Sequence, residues 1–321
     1  MYYDSYLKHE LETAKLKAQY DSHARRLLKD KGVLAYILKY AVKEFNNYSL
    51  EEAKACIVGE PEVAAREVSP SPEAITGMDT ECYLPGEGKT FYDIVFTAIT
   101  KDKESHKLYV NLEAQKDFYP GYDLVTRGVI YAARLLSQQM DTEYTSQNYD
   151  GAKKVYSIWI CMDPPRKNKD RMRVADSIME YSLTPKVLFS RYCEENVATG
   201  RYDLLSVVFV CLQYKGNASA NKLIGMLSTL FSDIINVAEK KNMLEKDYDL
   251  PMSHEMEGEA AAMCNLSDNI AWEKDIIIEN NIKKIREMDT ALKDKDEENK
   301  KLVEEVTKLR EQIKNIEENL H

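Results

Sequence analysis

The sequence predicts an α/β fold, a mixed sheet flanked by helices, followed by a C-terminal coiled-coil helix. Three observations carry this expectation. Strand-like apolar runs alternate with runs of helical period in the order helix, three strands, helix, strand, strand, helix. Clusters of Gly and Pro punctuate the runs where turns are needed. From Ile278 onward, apolar residues recur at spacings of three and four to the end of the chain.

Taken in order, residues 5–30 have helix-forming composition with mixed charge. After Gly32, "VLAYILKYAVKEF" sets Leu34, Ile37, Leu38, Ala41, Val42 and Phe45 on one stripe, predicting a core helix that Glu44 closes. Residues 58–72, with Gly59, Pro61, Pro70 and Pro72, read as a loop. "AITGMDTECYL" and "KTFYDIVFTAI" read as strands around the turn "PGEGK", and "KLYVNLEAQ" as a third strand of the same antiparallel meander. "DLVTRGVIYAARLLSQQM" returns to helical period; "KKVYSIWICMD" is a strand stopped by Pro164 and Pro165; "YDLLSVVFVCLQY" is a buried strand; and "ASANKLIGMLSTLFSDIINVAEKKN" is a helix.

In the terminal segment, heptad position a holds Ile278, Ile285, Leu292, Asn299, Val306, Ile313 and Leu320. Position d holds Asn281, Met288, Lys295, Leu302, Leu309 and Ile316. β-Branched residues at a, leucine at d and an asparagine at a favour a parallel two-stranded coil, hence a homodimer through residues 278–320. The competing reading is a single solvated helix. The expected organisation is an N-terminal helical segment (1–30), a globular domain (31–270) and the coil (271–321).

Composition narrows the function classes. The six cysteines show no CxxC pair, as suits reduced core thiols in a cytosol. No apolar run reaches membrane-spanning length and the start lacks a signal-peptide core, so a cytoplasmic protein without a membrane partner is expected. The net charge of −10 gives no general attraction for nucleic acid, so any such contact must be local. "HARRLLKDKG" and "PRKNKDRMR" are the basic stretches, and either can be simply a solvated face or loop. The five histidines form no ligand spacing and are expected at the surface.

The chemistry is sought in "YVNLEAQKDFYPGY". In an extended chain Asn111, Glu113 and Gln115 share one face, and Val110, Leu112 and Ala114 the other. The polar row is either an ordinary solvated face or half of an active site. If the neighbouring strand brings Asp93 of "FYDIVF" beside Glu113, the two carboxylates can hold a hard divalent cation, magnesium or manganese. Gln115 would face the same space and orient a water or a phosphate oxygen, and Glu44 is a fourth candidate. Arg127, Tyr131 and Arg134 recur at helical spacing and could clamp phosphates or merely cover the sheet edge.

With "YDIVFTA", "LYVNLEAQKDFYPGYDLVTRG", "KKVYSIWICMDPP" and, less specifically, "YDLLSVVFVCL" and "YDLPMSHEMEGEAAAMCN" in that order, residues 30–270 resemble the PD-(D/E)XK nuclease family transposases, related to the recombination-promoting nucleases. The resemblance implies a restriction-endonuclease-like core acting on DNA by magnesium-assisted phosphodiester hydrolysis. It puts the family aspartate on Asp93, the glutamate on Glu113 and the motif's lysine position on Gln115. Glutamine departs from the general pattern, although the transposase-like branch often shows Glu-x-Gln, and it brings no positive charge to stabilise a hydroxide. Lys116 cannot substitute, because the pleat turns it to the other face. Three classes follow: a metal-dependent endonuclease of mobile-element, recombination or defence type; a catalytically silent nuclease fold that binds DNA or a partner; and a coiled-coil scaffold.

Overall fold

The computed structural model describes residues 2–63, 81–84, 88–101, 106–167, 174–186, 188–189, 202–213 and 219–318. The chain divides into two compact units, Met1–Lys17 with Asp268–His321, and Ala18–Ser267. The described part of the first unit is helical throughout. The second carries the sheet.

Helix α1 (Tyr2–Leu28) precedes α2 (Lys31–Ala41), whose first turn is capped by Asp30 accepting from the N–H groups of Gly32 and Val33. The expected continuation of α2 to Phe45 fails: Val42 is extended (φ −122°, ψ 114°), and Lys43–Phe45 form a separate 3-10 turn. Helix α3 (Leu50–Ala55) starts with a full capping box between Ser49 and Glu52.

Strand β1 (Ile57–Val63) occupies residues expected as loop. It lies at the sheet edge, where Pro61 costs no ladder bond. Its register shifts between Val58 and Glu62, with Gly59 supplying the positive φ (68°) that such a bulge needs. Residues 64–72 of that expected loop lie outside the described residues, as do 74–80 and 85–87 of the expected hairpin.

The expected strand "KTFYDIVFTAI" divides in two. Strands β2 (Glu81–Leu84) and β3 (Gly88–Phe91) form a separate two-stranded sheet, while β4 (Ile94–Ile99) joins the main one. The three-strand meander is therefore replaced by a break at Tyr92 and Asp93. Tyr92 is fully buried and donates to the Tyr131 carbonyl, which pulls the chain out of the strand path.

Strand β5 (Lys107–Asp117), helix α4 (Leu124–Ser137) and strand β6 (Lys154–Asp163) make a crossover that leaves β5 and β6 parallel. Strand β7 (Ser177–Ser182), which the sequence reading missed, pairs antiparallel with β8 (Leu205–Cys211) at the other edge. The six-stranded mixed sheet has the order β1-β4-β5-β6-β8-β7. Tyr109, Val155, Trp159, Val207 and Phe209 on one face pack with Leu124, Tyr131 and Leu135 of α4. On the other face Ile94, Val110, Leu112, Ile158, Val208 and Val210 are equally buried, so the sheet is covered on both sides.

The single helix expected after β8 is two, α5 (Lys222–Leu230) and α6 (Val237–Tyr248). Ser232 accepts from the N–H groups of Ile234 and Ile235, and Asn236 caps α6 through Glu239 N–H; these local bonds displace the helical ladder. Helix α7 (His254–Glu318) runs for 65 residues, beginning before the expected coil, and Ile278, Ile285, Met288, Leu292, Leu302, Val306 and Leu309 are exposed along it. Among the described residues no helix is long and apolar enough to cross a membrane. Cys56, Cys161 and Cys211 are buried and not in disulfides. His23, expected at the surface, is half-buried against Glu259.

Candidate active site

The break before β4 places Asp93 where the β4–β5 ladder ends, one step beyond the Ile94–Leu112 pair. There the two acidic side chains replace main-chain partners. Asp93 Oδ2 accepts from Ala114 N–H at 2.9 Å, and Glu113 Oε1 accepts from Asp93 N–H at 3.1 Å. Reciprocal bonding of this kind satisfies two backbone donors that the end of the ladder would otherwise orphan.

Glu113 is only 4% exposed. Burial, and then the neighbouring Asp93 carboxylate, push its carboxyl well above the usual carboxylate range; the Asp93 N–H, Arg127 and Asn111 pull the other way without prevailing. Terminating a strand does not need a buried carboxyl with a perturbed pKa. Such a group is costly unless something compensates its charge.

Two side chains of α1 join the pair. Arg25 Nη1 donates to Asp93 Oδ1 at 2.9 Å, an ion pair about a fifth exposed on each side. Asp21, one helical turn earlier, is pushed up to about 6 by burial and then by the Asp93 carboxylate, with Arg25 and Lys116 opposing. Sequence reasoning missed Asp21; Arg25 falls in the basic stretch "HARRLLKDKG" but was not expected beside the carboxylates. The signal available was their i, i+4 spacing on a helix that begins outside the expected globular domain.

On the opposite wall Arg127 of α4 donates 2.6 Å to the Tyr131 hydroxyl and also bonds the Tyr122 hydroxyl. Its guanidinium lies 4.8 Å from the Tyr131 ring centre and 5.2 Å from that of Trp159. Gly128 allows this approach, since a Cβ there would stand 2.5 Å from Val207 and 3.1 Å from Trp159 Nε1. Arg134, in the last turn of α4, lies about 10 Å further along the axis at 1.5 Å per residue. The predicted stripe thus divides: Arg127 and Tyr131 flank Glu113, and Arg134 is a partly buried residue further on.

Gln115 follows Glu113 on the same strand face, partly buried, with its amide nitrogen donating to the Asp117 carbonyl. Lys116 turns away, as the pleat requires, and its ammonium lies 3.3 Å from the Tyr20 ring centre. Behind Glu113, Asn111 donates to Ser157, which also accepts from Trp159; Asn111 Oδ1 is buried without a hydrogen-bond partner.

Glu44 does not belong to this group. It accepts from the Tyr156 hydroxyl at 2.6 Å and pairs with Lys154 at 3.3 Å. Tyr156 alternates away from Trp159, the register partner of Glu113, so Glu44 serves the opposite sheet face. Lys154, 8% exposed, also pairs with Asp203 at 2.8 Å, and Lys43 bonds the same carboxylate. A 3-10 turn in place of the last turn of α2 is what sends Glu44 there.

Among the described residues no group of three or more His, Cys, Asp or Glu stands in an arrangement that could hold a metal ion. No family model matches the chain, and no curated protein or solved structure is significantly similar to it.

Proposed function

We propose that this chain is a magnesium-dependent DNA endonuclease with a restriction-endonuclease-like core, its site formed by Asp93 and Glu113. The observation that carries the reading is the interlocked pair itself: a buried carboxyl raised by its acidic neighbour at the end of two adjacent strands. Magnesium is commonly held by one or two carboxylates with water completing its shell, so two protein ligands suit it, with manganese as the alternative. Asn111 Oδ1 adds a buried acceptor for such a water. When bound, the cation supplies Lewis acidity toward the scissile phosphate and lowers the pKa of an attacking water.

The protein's own groups divide the remaining work. Asp93 and Glu113 would hold the cation, whose charge would offset the repulsion between the two carboxyls. Arg25, paired with Asp93, brings a positive charge that would face the phosphate. Arg127 holds positive charge beside Glu113, and the Gln115 amide orients water or phosphate. Incubating purified protein with supercoiled plasmid tests this: nicking requires magnesium, and Glu113→Ala reduces it at least a thousandfold while far-UV and near-UV circular dichroism remain native. Metal-independent nicking, or undiminished nicking by the folded variant, overturns the assignment.

Two observations favour a binding-only reading: Asp93 is already paired with Arg25, and glutamine stands at position 115 where a lysine would bring charge. That reading predicts DNA binding with no cleavage in either metal.

The heptads of α7 add an assembly. Their exposed a and d residues form an unpartnered stripe that a second copy would cover in parallel register, Asn299 facing Asn299. Two sites held on one duplex would gain effective concentration for a double-strand break. Light scattering at micromolar concentration should give a dimer, and a monomer after deletion of residues 278–321, with double-strand cleavage falling more than nicking. A monomeric full-length chain rejects the coil as the assembly element.

A further inference from the structure

The connection from β5 to α4 leaves the strand that carries Glu113 and enters the helix that carries Arg127. It holds two exposed aromatic rings, Tyr119 (49% exposed) and Tyr122 (53%). Singly scattered exposed apolar groups need no explanation. These two differ in how they are held. Phe118 packs against the core beneath α4 and stands edge-on to Tyr119, with ring centres 5.1 Å apart. Tyr122 is fixed by Arg127, which bonds its hydroxyl and lies 5.4 Å from its ring centre. The same Arg127 lies 5.2 Å from the ring centre of Trp159, the register partner of Glu113, so the pinned, solvent-facing ring stands on the same side of the sheet as the candidate catalytic carboxyl.

The electrostatics point the same way. With a net charge of −10 the chain has no general field to grip a long duplex through its phosphates. Stacking on aromatic faces adds a contribution that does not depend on such a field, and a single strand carries a lower charge density than a duplex, but only bases released from pairing and stacking can use it.

We propose that loop 118–122 is a base-stacking platform, and that the substrate is DNA with unpaired bases at the point of cleavage: single strands, frayed ends or branched junctions. This rests on the nuclease reading above for the choice of DNA as ligand and for cleavage, while the stacking itself is tested independently of cleavage. Binding is therefore measured without cleavage, in EDTA, by fluorescence anisotropy with three labelled probes: a 20-nucleotide single strand, its fully paired duplex, and the RNA of the same sequence.

The wild type is expected to bind the single strand at least tenfold more tightly than the duplex. Tyr119→Ala and Tyr122→Ala each weaken single-strand binding about five- to a hundredfold, the range that loss of one stacked base gives. Tyr122→Phe, which keeps the ring and loses the bond from Arg127, retains most of it. The salt dependence of binding stays unchanged in the alanine variants, because stacking releases no counterions. Equal affinity of the alanine variants and the wild type, preference for the duplex, or tighter binding of the RNA each overturns the proposal.

Parallel plasmid assays separate the two readings. Magnesium-dependent nicking with tyrosine-independent binding removes the platform alone. Tyrosine-dependent binding without nicking removes the nuclease and keeps the platform. No binding to any probe removes the platform, whatever the plasmid assay shows.

Discussion

Two buried charged clusters stand on the same sheet and are built on opposite principles. Lys154 and Lys43 face Asp203 and Glu44, charge for charge, beside the first residues of β6. Burial alone would raise the Asp203 carboxyl, but hydrogen bonds from Lys154 and Lys43 hold it below its ordinary range. Five positions along β6, at the level of Trp159, Glu113 and Asp21 share Asp93 as a neighbour, with Arg25, Arg127 and Lys116 opposing. There the Glu113 and Asp21 carboxyls are raised. The first cluster pairs its carboxylates with cations and can serve folding; in the second, burial and the shared neighbour Asp93 outweigh the cations at Glu113 and Asp21. An imbalance that folding does not require is the better pointer to chemistry.

The largest effect should come from breaking the balanced cluster. Lys154→Met leaves Glu44 without its cation and Asp203 with Lys43 alone, and removal of one partner from a buried pair costs about 3–5 kcal/mol, the lower end applying where a second cation remains. Urea denaturation should show the midpoint falling with an unchanged slope; a loss under about 1 kcal/mol would mean that the lysine is dispensable there.

Next in size is the response to magnesium, which should separate the clusters. A ligand that binds only the native state at a hundred times its Kd stabilises by about 2.7 kcal/mol. Thermal unfolding of the wild type should therefore shift upward with magnesium. Glu113→Ala should lose the shift, and Glu44→Gln should keep it. An equal shift in all three proteins would show that the ion acts elsewhere.

The smallest effect is the pH dependence. For Asp21, raised from 3.8 to about 6 in the folded state, the native form holds the extra proton between those values. Its contribution is thus fully present below pH 3.8 and is lost as pH rises through 6. Asp21→Asn should consequently stabilise the protein at pH 7, by about 1–2 kcal/mol after discounting for solvent screening of a partly buried group. The gain should shrink as pH falls from 6 toward 4. Asp203 has the opposite sign: its contribution is present above its unfolded value and lost as pH falls through its depressed folded one. A gain for Asp21→Asn that is flat from pH 4 to 7 would remove Asp21 from the coupled group.

How much of this was legible in the chain varies by element. The strand β5 and the side-chain alternation that puts Asn111, Glu113 and Gln115 on one face follow from local pattern, as do α4, β6 and β8. Local pattern misread β1, because Gly59 and Pro61 signal a loop unless a bulged sheet edge accommodates them. The division between α5 and α6 was readable in Asn236 followed three residues later by Glu239, a capping signal inside an otherwise helical run. The break at Asp93 was not, since a single Asp on the polar face of "FYDIVF" is compatible with an unbroken strand.

The sequence by itself determined which residues can carry charge on which strand face, because a pleat of period two leaves no choice once the strand exists. It also determined the heptad stripe of α7, which depends only on helical period. Tertiary structure decided which charges meet. Arg25 and Asp21 reach Asp93 across some seventy residues of chain, and Glu44 goes instead to Lys154 and Tyr156. These outcomes follow from packing α1 against the end of the β4–β5 ladder and from ending α2 at Ala41. Local periodicity cannot encode them, because an electrostatic contact depends on distance in space and the sequence specifies only distance along the chain.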